Sequence, residues 1–137
     1  MPKPFDQAAA VPVRGGLVGL ITSSNRRRWV VPKGQIDPGH TAPEAAAIEA
    51  WEEAGWLGRL DDEPIGSFSY RKLGRERHVL VFLLTVTEEK DEWPEATFRT
   101  REWLTAEVAA ARVEEPELRA ILLGLASRVG APSAEAV

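Results

Sequence analysis

Residues 32–56 read PKGQIDPGHTAPEAAAIEAWEEAGW: a glycine-bearing loop, a helix start, and three glutamates closed off by a glycine. Thr41 and Glu44 have the spacing of a capping box, in which hydroxyl and carboxylate each satisfy an orphan amide at the helix start. Pro43 is tolerated because it lies in the first turn, where no helical partner is lost. Ala45, Ala46 and Ala47 favour helix, and Gly55 is placed as the residue just past its end. The pattern predicts a helix from about Thr41 to Ala54.

Within that helix Glu49, Glu52 and Glu53 stand at i, i+3 and i+4, which puts them on one face. Like charges at this spacing repel, and a divalent cation reverses the sign of that interaction. A hard cation such as Mg²⁺ takes oxygen ligands and keeps several waters, leaving positions for phosphate oxygens. Three glutamates alone are more often a solvated acidic face. The flanking Pro32-Lys33-Gly34, Asp37-Pro38-Gly39 and Gly55 weigh against that reading.

Outward from the helix, Val11–Ile21 is β-like, with Gly15 and Gly16 marking a bulge or a close backbone approach. Ser23-Ser24-Asn25 reads as a turn and Arg28–Val31 as a short strand stopped by Pro32. Ile65–Lys72 and Arg77–Thr87 read as antiparallel strands, the second holding the run Val79–Leu84 of a central strand. Phe98–Leu104 is a further candidate strand and Thr105–Arg112 a short helix. Pro116 opens a last helix, where Leu118, Ile121, Leu122, Leu125 and Val129 repeat at helical spacing. Strands with helices on both faces predict an α/β or α+β class. The expected organisation is a flexible tail over residues 1–10, one domain over 11–130 and a short tail over 131–137.

The chain has 137 residues, enough for one domain with a real core, and no cysteine, which excludes disulfides and thiolate chemistry. No apolar run nears the roughly 20 residues that span a bilayer, and the N-terminal stretch lacks a signal-peptide core. The expected location is therefore cytoplasmic, with no membrane partner. The net charge of −4 argues against a nucleic-acid partner. Basic residues nevertheless gather at Lys3, Arg14, Arg26, Arg27, Arg28 and Lys33, and again at Arg71, Lys72, Arg75 and Arg77. Acid collects at Glu44–Glu53 and Glu88–Glu95. A basic rim beside an acidic patch suits an anionic substrate held through metal ions.

The segment Gly34–Trp56 resembles the Nudix box, Gly-x5-Glu-x7-Arg-Glu-U-x-Glu-Glu-x-Gly-U with U a bulky apolar residue. Gly34, Glu49, Glu52, Glu53 and Gly55 fall in register, Trp56 fills the last apolar position and Ala50 the other. Two positions depart: His40 stands where the family has its first glutamate, and Ile48 where it has an arginine that orients a catalytic carboxylate. The resemblance implies an α/β/α sandwich around a mixed sheet and Mg²⁺-dependent cleavage of a phosphoanhydride, with Mn²⁺ a possible substitute. It implies Glu49, Glu52 and Glu53 as catalytic and metal-binding residues, with a backbone carbonyl of the Lys33-Gly34 turn as a further ligand. Glu49 or a later carboxylate, Glu76 or Glu102, is the candidate base, and His40 a candidate metal or phosphate contact.

Arg14, Arg28, Lys33, Arg71, Arg75, Arg77 and His78 are the candidate substrate contacts, guanidinium being suited to phosphate. RWVVPKG, EAAAIEAWEEAGWLG and REWLT resemble the diphosphoinositol polyphosphate phosphohydrolase-like branch. That likeness implies highly anionic small molecules: nucleoside-diphosphate-linked compounds, dinucleoside polyphosphates or inositol polyphosphates, acted on by a monomer or homodimer. Two other readings stand beside it: a phosphate-binding regulatory module without turnover, supported by His40 and Ile48, and an RNA-end pyrophosphohydrolase.

Overall fold

Strand β1, Gln7–Arg14, is the axis of the sheet. The computed structural model describes residues 5–128, so Lys3, Val129 and the expected tail over 131–137 lie outside it. On one side β1 pairs in parallel with β6 (Arg75–Glu89), which pairs antiparallel with β5 (Trp56–Lys72). On the other side its end pairs with β2 (Leu17–Thr22) and its beginning with β4 (Lys33–Gln35), both antiparallel. Beyond Val13↔Val18 the strands β1 and β2 splay apart, and the segment holding β3 (Trp29–Val30) and β4 fills the wedge. Pro12, with no N–H, falls where β1 has left β4 and not yet met β2. On the far edge of β2 lies β7, Arg101–Leu104. The described residues thus form a mixed seven-stranded sheet.

Helices cover both faces, as the α/β/α expectation requires. Ala9, Val11, Val79, Val81 and Phe68 point to one face, where α2 (Ala106–Arg112) and α3 (Pro116–Arg128) bring Ala109, Leu118, Leu122 and Leu125. Ala8, Ala10, Phe82, Leu84 and Val86 point to the other, where α1 (Ala42–Glu49) brings Ala45 and Ala46. Covering on both faces explains the unbroken apolar run of β6. Small residues meet where α1 crosses β1, and their size sets how closely the helix approaches the sheet.

The expected tail over residues 1–10 is therefore wrong from Gln7 onward: Ala8, Ala9 and Ala10 are fully buried strand residues. Nor do Gly15 and Gly16 form a bulge. Both have positive φ, 58° and 81°, and make the two-residue hairpin turn that joins β1 to β2. Leu73 and Gly74 repeat this turn between β5 and β6, with φ of 53° and 77°. The strand expected to start at Ile65 starts at Trp56, because bulges near Leu57, Leu60 and Pro64 hide its alternation.

Ala10→Leu is expected to destabilise the fold by about 1–3 kcal/mol, since the added volume has no room between β1 and α1. A lower urea midpoint at unchanged slope checks this, and an unchanged midpoint contradicts it.

Candidate active site

Helix α1 starts as the sequence predicts: the Glu44 amide donates to Thr41 Oγ1 at 3.2 Å, and the Thr41 amide to Glu44 Oε1 at 2.8 Å. After Glu49 it widens into a π-helical turn, Ala50–Ala54, in which the Gly55 amide reaches the Ala50 and Trp51 carbonyls. Each residue of a wider turn advances through a smaller angle than in an α-helix. Glu53 therefore stays nearly in line with Glu49, while Glu52 swings away. Among the described residues no three His, Asp or Glu side chains lie at metal-binding spacing, and of the three glutamates it is Glu49 and Glu53 that lie against each other.

The pair is held on every side. Glu53 is 9% exposed; its Oε1 accepts from the Lys33 amide at 3.2 Å and its Oε2 lies 3.6 Å from Arg99 Nη2. Glu49 lies against Gly34, where a Cβ would come within 2.3 Å of its carboxyl carbon. Gly34 therefore does not serve the geometry of a tight loop; it sits in β4 and makes room for a carboxyl group. Gly39, with φ of 91°, does serve the loop. Beneath the pair, the carbonyls that end the helix find partners in the segment before β7. Trp93 Nε1 donates to Glu53 O at 2.9 Å, Arg101 Nη1 to Ala54 O at 2.7 Å, and the Glu95 amide to Glu52 O at 3.1 Å.

Burial pushes the Glu49 carboxyl up to about 8, and the neighbouring Glu53 charge and hydrogen bond add to the shift. Burial also raises Glu53, opposed by the Arg99 charge and the Lys33 amide. Both carboxyls are thus pushed up, Glu49 with its neighbour's charge added to burial and Glu53 with the two donors opposing burial.

Beside the pair opens a cleft of about 380 Å³, lined by Glu53, Arg28, Lys33, Lys72, Arg99 and Tyr70, with Gln7, Val30 and Ser23-Ser24-Asn25 completing its wall. Lys33 Nζ lies 4.8 Å above the Tyr70 ring, and burial lowers its pKa against the pull of Glu53 and Glu115. Arg28 sits at the wall with Glu114 at 3.5 Å and Glu115 at 3.6 Å.

Of the residues expected to meet substrate, then, Arg28 and Lys33 line this cleft. Arg71 and Arg75 stand at the β5–β6 hairpin, where Arg71 donates to the Gly74 carbonyl. Arg77 faces Asp6 at 4.0 Å, and His78 Nδ1 is 3.1 Å from Ser69 Oγ. Arg14 ends β1 at the opposite hairpin. These five do not line the cleft. Of the candidate bases, Glu76 is exposed in β6 and Glu102 is paired with Arg112 at 3.0 Å. His40 is exposed in its loop and Ile48 half-buried outside both apolar clusters.

Arg99 and Tyr70 escape a sequence reading, and Lys72 and Glu95 appear there only as members of charge clusters, not as site residues. Arg99 stands in an irregular stretch, and only tertiary pairing across 46 residues brings it to Glu53.

The donor chemistry fits a hard cation. Glu49 and Glu53 in contact, with Glu52 on the same helix turn, are oxygen ligands short of positive charge, and a cation beside them would oppose the upward push on both carboxyls.

A family model described as the NUDIX domain matches residues 4–123. The chain is 40% identical over 98 residues to Nudix hydrolase 12, mitochondrial, of Arabidopsis thaliana, covering 66% of this chain and 48% of that protein. It is 38% identical over 94 residues to diphosphoinositol polyphosphate phosphohydrolase 3-alpha of Mus musculus, covering 66% of this chain and 56% of that protein. The chain spans about half the length of these relatives. Among solved structures, an Ap4A hydrolase of C. elegans superposes with a TM-score of 0.73 at 21% identity, over 90% of this chain and 97% of that one. That likeness is one of fold.

In chelator, the wild-type thermal midpoint is expected to fall more steeply with pH than that of Glu49→Gln between about pH 4.5 and 8. The sign follows from a raised carboxyl pKa: in this window the folded protein keeps a proton that the unfolded chain has released, so higher pH favours unfolding. Parallel midpoint curves contradict the raised Glu49 carboxyl.

Proposed function

The chain belongs to the Nudix family, and from that membership we propose that it is a Mg²⁺-dependent hydrolase that cleaves a phosphoanhydride bond in a small, highly anionic substrate. The carrying observation is the Glu49–Glu53 pair, Glu49 half-buried and Glu53 buried, beside a cleft that Glu53 lines and whose other walls bring Arg28, Lys33 and Lys72 toward a substrate. Carboxylates on one side and cations on the others suit a polyphosphate chain that needs both a bridging metal and direct positive contacts.

Glu49 and Glu53 would hold the cation, with Glu52 and a carbonyl of Lys33 or Gly34 as further oxygen donors. A bound Mg²⁺ supplies charge neutralisation on the phosphates and a more acidic water, with Mn²⁺ as a substitute. The chain's own residues supply the rest. Arg28 and Lys72 meet phosphate oxygens across the cleft, and Lys33, short of solvent, gains from an anion brought beside it. Glu49 is available as ligand or as base only after its proton has left.

The substrate is proposed to be a dinucleoside polyphosphate, a nucleoside-diphosphate-linked compound or an inositol polyphosphate. The proposed compartment is the cytoplasm. Among the described residues no helix is long and apolar enough to cross a membrane. A regulatory module without turnover is the second reading, favoured by His40, exposed in its loop, and by Ile48, which brings no guanidinium to the carboxyl pair.

A panel of diadenosine polyphosphates, ADP-ribose, nucleoside triphosphates and an inositol pyrophosphate, with Mg²⁺, Mn²⁺ or chelator, is expected to give metal-dependent cleavage of one class. Tight binding of the same compounds without cleavage overturns the hydrolase reading. Glu53→Gln keeps shape and removes charge, and is expected to lower turnover at least about 100-fold with the fold intact by circular dichroism. Turnover at the wild-type rate contradicts the assignment of Glu53.

A further inference from the structure

We propose that Arg99 is the positioning residue of the carboxylate pair, supplying from the sheet side the guanidinium that position 48 of the motif lacks. The inference rests on the hydrolase reading for its kinetic consequence and on geometry for its substance. Arg99 comes from the segment just before β7, and its side chain is only 11% exposed. Three of its donors have separate partners: Nε meets Glu95 Oε1 at 2.8 Å, Nη1 meets the Thr22 carbonyl at 2.9 Å, and Nη2 faces Glu53 Oε2 at 3.6 Å. Thr22 ends β2, and Thr22 Oγ1 in turn accepts from the Thr100 amide at 2.9 Å, so the segment carrying Arg99 is tied to the sheet.

A guanidinium is planar and rigid. With Nε and Nη1 engaged, the direction of Nη2 is no longer free, and it is aimed at Glu53. The other oxygen of Glu53 is held by the Lys33 amide at 3.2 Å. The carboxylate thus has a partner at each oxygen, a hydrogen bond from β4 on one side and an ion pair from the segment before β7 on the other, and both favour one orientation about its terminal bond. Ile48, half-buried on α1, offers no donor for this task. A residue on the helix would orient the carboxylate from within its own element. Arg99 orients it from the sheet, which ties the helix to β2 as well.

A lysine at 99 brings one point charge on a flexible stem and cannot make three coplanar contacts, so charge alone does not restore the arrangement. The test compares wild type, R99K and R99M in steady-state kinetics with whichever substrate the wild type cleaves, in Mn²⁺ affinity by electron paramagnetic resonance without substrate, and in the crystal structure of R99M. In both variants kcat is expected to fall about 10- to 100-fold and Mn²⁺ to bind more weakly by a similar factor. KM is expected to change by less than about threefold, because Arg99 acts through Glu53 rather than on the substrate. The Glu53 carboxyl is expected to leave the Lys33 amide in R99M. Full activity in R99K, a change confined to KM, or a Glu53 that stays in place in R99M overturns the proposal. A wild type that cleaves nothing sinks the hydrolase reading alone, and the Glu53 position together with the Mn²⁺ titration still decides the role of Arg99.

Discussion

Two carboxyl groups, Glu49 half-buried and Glu53 buried, are pressed together at the end of a helix, and most of the local structure follows from keeping them there. Like charges brought together out of water are costly, so both carboxyls are pushed up, and Glu53 leans on Arg99 and accepts the Lys33 amide. Gly34 has no side chain because the Glu49 carboxyl fills that space. The alanines of β1 and α1 are small because the helix must lie close to the sheet to bring its end against β4.

The segment between β6 and β7 carries the other half of the support. Helix ends leave carbonyls without partners, and here Trp93, Arg101 and the Glu95 amide take them. Arg101 also lies 3.9 Å from the Trp93 ring centroid and donates to the Lys90 carbonyl, which fixes the stretch that Arg99 follows. Gly55, with φ of 69°, turns the chain into β5, and a Cβ there would strike both Trp93 and Arg101 at 2.9 Å. Helix end, loop and strand thus form one unit, and a change in any of them reaches the carboxylates.

The capping box, the helix bounds and the last two helices were legible because each rests on spacing within a few residues. So was the family, through the register of Gly34, Glu49, Glu52, Glu53 and Gly55. What the sequence concealed depends on tertiary contact. The alanines of β1 read as a weak tail because their burial comes from both faces of the sheet rather than from their own hydrophobicity. The π-helical turn is hidden too: nothing in the spacing of the three glutamates marks it, and it brings Glu53 nearly in line with Glu49. The basic residues at 71, 75 and 77 cluster in sequence but sit along a hairpin away from the cleft, while Arg99 and Lys72 reach it through the fold.

The central claim is that the carboxyl pair is where the proposed cation would bind, against the upward push on Glu49. Calorimetric titration of Mg²⁺ into the metal-free protein at pH 7, repeated in buffers of different ionisation enthalpy, counts the protons exchanged. Because the Glu49 carboxyl is pushed up to about 8, the expected result is release of about one proton per cation, vanishing well above pH 8. Cation binding with no proton released, or no cation binding at all, contradicts it.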